Sequence, residues 1–229
     1  MKFEKLYNSR FFTFFEFFYR LVILNFITVL FSILGLVVFS LMPALVALII
    51  IIRSLKGDNE FPVLTTYINA FVKNYRRVLK LSIFYLIIGL VLVFNTYFFY
   101  LGYVQNQGVI NEVFYYLALF IDLVFILVFI NACFICVYFP NLNNRKIIKY
   151  SFILLRAIPR QALLILLMLV GMVVILYINI LNIIIIFIFI ALFIFISNLL
   201  LEKIYLSLVA AGVKSLDAFI YIRRQGENS

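Results

Sequence analysis

Few residues in this chain could do chemistry. Asp122 lies between two uncharged runs, Val113 to Ile121 and Leu123 to Leu142. A carboxylate near the middle of a bilayer is costly enough to suggest binding of a proton or cation. The alternative is a protonated or hydrogen-bonded group tying helices together, with Asn95, Thr96, Asn179 and Asn182 as candidate partners. No second ionisable group stands nearby to relay a proton, so the structural reading is favoured. Cys133 and Cys136 form a C-x-x-C at helical spacing on the same face as Asp122. A redox or metal role would need a helix N-terminus or further ligands, and small-residue packing is the simpler expectation.

The absence of histidine removes most zinc sites, Ser-His-Asp and Cys-His catalysis, and the usual proton shuttle at neutral pH. No Gly-Lys-Ser/Thr phosphate loop is present, and paired carboxylates are missing. The expectation is a non-enzymatic protein with no catalytic residues, no metal and no cofactor.

The elements that hold these residues are membrane helices. The chain of 229 residues is 67% apolar and 12% charged, with mean hydropathy +1.22, where a soluble domain carries roughly 25% charge. Uncharged runs at Leu21 to Ile52, Leu81 to Asn111, Leu123 to Leu142 and Gln161 to Leu201 lack the period-2 alternation of barrel strands. The helix is then the spanning element, needing about 20 residues to cross. Leu21 to Ile52 is too long for one helix and short for two. It is read as a hairpin whose first helix starts near Phe12 and whose turn lies between Gly35 and Pro43. The fold class is all-α: a polytopic transmembrane bundle of about six spans, forming a single integral membrane domain over residues 1–229.

Charge sets the topology. All 19 Lys and Arg residues fall into four groups separated by basic-free turns, and cytoplasmic loops carry the Lys/Arg excess. Both termini are therefore expected inside, in a multi-pass protein of a bacterial cell membrane. The net charge of +10 points to anionic inner-leaflet lipid rather than nucleic acid, because the basic residues adjoin apolar spans.

Two basic segments are helical. From Val63 to Lys80, apolar and aromatic residues recur at three and four residues opposite Lys73, Arg76, Arg77 and Lys80, the pattern of a helix lying in the membrane interface. In the second, Arg145, Lys149, Arg156 and Arg160 fall on one face at steps of four, seven and four. Asn25, Thr28, Ser32 and Gly35 line one face of the first span as a helix-helix seam, whose partner is either this chain or a second copy in a homo-oligomer. The many Phe and Tyr residues are expected mostly to face lipid or to fill the interface.

Residues 10 to 80 resemble the YesL-like family of bacterial membrane proteins. The resemblance rests on Asn25, Pro43-Ala44, Arg53 followed by Gly57 and Phe61, and Phe71-x-x-Asn74-Tyr75. Met42 stands where a Gly is common. The resemblance implies an accessory or scaffold role near a carbohydrate ABC importer, with importer subunits as partners, and carries no catalytic residues. The competing reading is a small secondary transporter or ion-coupled carrier centred on Asp122.

Overall fold

The computed structural model describes residues 10–37, 39–55, 62–105, 108–176 and 182–210. Gly57, Phe61, Asn179 and the basic residues Lys2, Lys5, Lys214, Arg223 and Arg224 lie outside them. Seven helices and no strand occur among the described residues: α1 (Arg10–Leu34), α2 (Leu41–Ser54), α3 (Val63–Val104), α4 (Val109–Tyr138), α5 (Asn144–Ala157), α6 (Pro159–Leu176) and α7 (Asn182–Ala210).

Four of these are long and apolar enough to cross a membrane: Phe15–Leu34, Val63–Val104, Val109–Tyr138 and Ile188–Ala210. A fifth results if α5 and α6 count as one bent span. The expectation of six needed α2 as a crossing of its own, but α2 has 14 residues and rises only about 21 Å, against a hydrocarbon layer of about 30 Å. Its apolar residues serve another end. Met42 to Ile49, Ile51 and Ile52 are all buried, so α2 is enclosed by protein, packing against α1, α3, α4 and α7.

The α1–α2 turn falls at residues 35–40. Ser40 donates its hydroxyl hydrogen to the Ser32 carbonyl at 2.7 Å, and the Val37 N–H donates to the same oxygen at 2.8 Å. Closing so tightly puts Leu36 and Val37 at φ +58° and +56°, a region that β-branched residues rarely enter. Gly35 belongs to this turn rather than to the seam, because a methyl there would fall on the Ser40 side chain.

α3 runs 42 residues without a break. The basic segment expected to lie in the interface plane is instead the first part of this helix, continuous with the span. No Gly or Pro stands between Arg77 and Ser82 to interrupt the hydrogen-bond ladder. Part of its apolar face meets protein: the Phe31 ring lies 5.0 Å from Phe71 and 5.6 Å from Tyr67, while Leu64 and Val72 stay exposed.

The second basic segment does break. α5 and α6 meet at 94°, with Ile158 at φ −125°, ψ 55° between them. Pro159 disfavours helical geometry in the residue before it and suits the first position of the next helix. Arg160 is therefore separated from Arg145, Lys149 and Arg156, and the four-residue stripe expected on one face is a three-residue stripe on α5.

Two substitutions probe the first turn. Val37→Gly relieves a positive φ and should raise the thermal midpoint in detergent, by about 1 kcal/mol of stability. Gly35→Ala should lower it by displacing Ser40. A fall with Val37→Gly would show that the turn is held otherwise.

Candidate functional site

α3 and α4 form an antiparallel hairpin whose register can be read from its contacts. The Arg77 guanidinium donates to the Cys136 carbonyl oxygen, Gly89 faces Phe125, Thr96 meets Asp122 and Gly102 faces Asn111. A Cβ at Gly102 would stand 2.8 Å from the Asn111 side chain, so glycine permits the close approach near the tip. Asp122 sits in mid-hairpin, half-buried. The Thr96 hydroxyl donates to its Oδ2 at 2.7 Å, while the neighbouring Asn95 is exposed. Of its candidate partners Asp122 thus meets Thr96 and not Asn95, while Asn179 and the Asn182 side chain lie outside the described residues.

Several other buried polar groups are used between helices. The Asn25 Oδ1 accepts from two consecutive backbone N–H groups of α7, those of Ile190 and Ala191, at 3.0 and 3.1 Å. One carboxamide on α1 thereby grips the main chain of α7, as an N-cap oxygen grips a helix start. Beside it, the Thr28 hydroxyl donates to the Leu24 carbonyl within α1 and meets the Tyr67 side chain. The Tyr67 hydroxyl donates to the Ala44 carbonyl of α2 at 3.0 Å. Tyr85 on α3 and Ser151 on α5 share a hydrogen bond of 2.9 Å.

A larger cluster joins α4 to α7. The Tyr138 hydroxyl donates to Asn198 Oδ1 at 3.1 Å, the Tyr205 hydroxyl to Asn131 Oδ1 at 3.4 Å, and the two tyrosine rings stack at 4.9 Å. The Arg53 guanidinium of α2 lies 4.1 Å above the Tyr138 ring, a cation–π contact that holds a charge at the edge of the core. Asn198 Nδ2, Ser197 Oγ and Arg77 Nε are buried without a hydrogen-bond partner among the described residues. A water molecule or bound group could satisfy these donors.

The basic residues divide. Lys73, Arg76 and Lys80 on α3 are exposed, as are Arg145, Lys149 and Arg156 on α5 and Arg160 on α6, while Arg53 and Arg77 turn into the protein. Cys133 and Cys136 are buried and unpaired. Among the described residues no cluster of three His, Cys, Asp or Glu could hold a metal ion.

Buried tyrosines are the main feature that sequence reasoning missed. Tyr67, Tyr85, Tyr138 and Tyr205 are all core residues, not lipid-facing or interfacial ones. A signal existed: Tyr67, Phe71, Val78, Leu81 and Tyr85 share one helical stripe. Asn131 and Asn198, lone amides in apolar runs, could also have been singled out, since polar side chains within spans usually bond across helices.

Residues 21–96 match the model of a family described as Protein of unknown function, DUF624. The match covers about a third of the chain and includes Asn25, Pro43-Ala44, Arg53 and Phe71-x-x-Asn74-Tyr75, the motifs of the YesL-like resemblance. It spans α2, the Asn25 side of the α1–α7 tie and both buried tyrosines of α3, Tyr67 and Tyr85, and ends at Thr96, before Asp122. Comparison with curated proteins and with solved structures gave no match.

The Asn25 grip is open to direct test. Asn25→Leu preserves size and removes the acceptor for two N–H groups, and should cost about 1–2 kcal/mol. Membrane abundance and the detergent melting midpoint should both fall. Unchanged values in both measurements would show that α1 and α7 are held by apolar packing alone.

Proposed function

We propose that this chain is a non-enzymatic accessory or scaffold protein of the bacterial cell membrane, acting beside a carbohydrate-uptake system. The observation that carries the scaffold reading is the use of polar side chains within the helices. Asn25, Tyr67, Tyr85, Thr96, Asp122, Tyr138 and Tyr205 are each engaged in a hydrogen bond between two helices. Such groups fix one arrangement of the bundle, whereas a carrier must rock between two around a water-accessible site. The association with carbohydrate uptake rests on the family resemblance.

The surface fits an assembly role. Lys73, Arg76, Lys80, Arg145, Lys149 and Arg156 present cationic helix faces to anionic inner-leaflet lipid or to an importer subunit, and the positive-inside bias assigns them to the cytoplasm. The hairpin tip at Gly108 then lies outside. In this topology a cysteine at position 108 reacts with an impermeant thiol reagent on intact cells, and one at position 156 reacts only after the membrane is opened. Cys133 and Cys136 are buried and stay silent in both conditions. The opposite labelling pattern would invert the topology.

A carrier centred on Asp122 is the second reading, and the two differ in what the carboxylate must do. A coupling carboxylate changes its proton or cation occupancy in every cycle, so Asp122→Asn would abolish transport in a folded protein. A structural carboxylate tolerates Asn, which can still accept from Thr96. On the scaffold reading, Asp122→Asn leaves sugar-dependent growth nearly unchanged in a strain that needs this gene. Asp122→Leu lowers membrane abundance by removing a bond worth about 0.6–2 kcal/mol. Loss of growth in the Asn variant at unchanged abundance would promote the carrier.

A further inference from the structure

The α3–α4 hairpin has two unlike halves. Near Arg77, Tyr85 and Phe129 it packs into the bundle. From residue 87 through residue 121, only Gly102 and Ala118 are buried among the described residues. Val91, Phe94 and Phe98 on α3 are 63%, 70% and 67% exposed, and Phe120 on α4 is 61% exposed. Lipid chains can cover these apolar groups. They cannot satisfy Asn95, which is exposed on the same stretch, or the half-buried Asp122. Thr96 donates to one carboxylate oxygen of Asp122, and neither the other oxygen nor the Asn95 amide has a partner among the described residues. Intramembrane ionisable groups almost always face protein or a water-filled cavity.

We propose that this half of the hairpin docks on the same hairpin of a second copy of the chain, with Asn95 of each protomer donating to Asp122 of the other. The surface is self-complementary, carrying an amide donor and a carboxylate acceptor. Both lie at one depth, since Asn95 adjoins the residue bonded to Asp122. A two-fold axis along the bilayer normal preserves depth and exchanges the two positions, so residue i meets residue j and residue j meets residue i. A different partner would have to bring its own acceptor and donor at that height. A second copy supplies both.

Cysteine crosslinking in native membranes tests this. Val91 is exposed one turn before Asn95 on the same face, so Val91→Cys should give an oxidation-dependent dimer. Leu163→Cys, on the exposed face of α6, should give little. In the Val91→Cys background, Asn95→Leu should weaken dimer formation roughly tenfold, the scale of two lost interhelical bonds. Asn95 is exposed, so this variant should leave folding intact. Asp122→Leu should act likewise at matched abundance, and Asp122→Asn should retain the dimer. Crosslinking no greater than at position 163, a dimer indifferent to Asn95→Leu, or capture of a different protein at position 91 would overturn the proposal. The proposal does not rest on the uptake assignment: a monomeric result leaves the scaffold reading standing, and loss of growth with Asp122→Asn leaves the dimer standing.

Discussion

A helix that is apolar all round must be enclosed on every side, and α2 meets that condition with protein in place of lipid. Its buried run from Met42 to Ile52, interrupted only at Ile50, obliges α1, α3, α4 and α7 to surround it. The consequences spread outward. The α1–α2 turn must be tight enough to return the chain at once, which is why Leu36 and Val37 accept positive φ. The first turns of α3 must lie along α2, which draws Tyr67 over the Ala44 carbonyl.

Apolar contact alone would leave such a bundle poorly specified, because lipid tails are as apolar as the leucines and isoleucines that meet inside it. Hydrogen bonds supply the missing discrimination. The Asn25 oxygen fits two adjacent N–H groups of α7 and would be lost by a shift of one turn. Tyr138 and Tyr205 fix α4 on α7 in the same manner. Arginine contributes where lysine would not. The guanidiniums of Arg53 and Arg77 stack on a ring and donate to a carbonyl at the edge of the core, while Lys73 and Lys80 stay exposed, as expected for a compact, strongly hydrated ammonium.

What could be read in the sequence follows from what hydropathy measures. Exclusion from water was plain, and with it the all-helical class. The grouping of Asn25, Thr28 and Ser32 on one helical face was legible from spacing alone. Hydropathy does not separate burial against lipid from burial against protein, so α2 read as a span and the Tyr67 side of α3 read as lipid-facing. The partner of Asn25 lies 165 residues away in the chain, and no local pattern announces it. Pro159 did carry a readable signal: a proline between Arg156 and Arg160 is incompatible with one uninterrupted helical stripe.

The distribution of polar ties divides the molecule into a fixed part and an open part. Around α2, helices are joined by bonds whose donors and acceptors sit on different elements, so no helix can slide without stranding a buried group at a cost of about 1–3 kcal/mol. The outer α3–α4 hairpin is tied within itself, by Thr96 to Asp122 and by Tyr103 to Tyr116, and offers mostly apolar and aromatic side chains to its surroundings. A protein that worked by internal motion would be expected to place its loosely held elements around an enclosed polar path. Here the loosely tied element is the peripheral one, and Asn95 and the second Asp122 oxygen, without a partner among the described residues, suit the proposed association at the rim of the core.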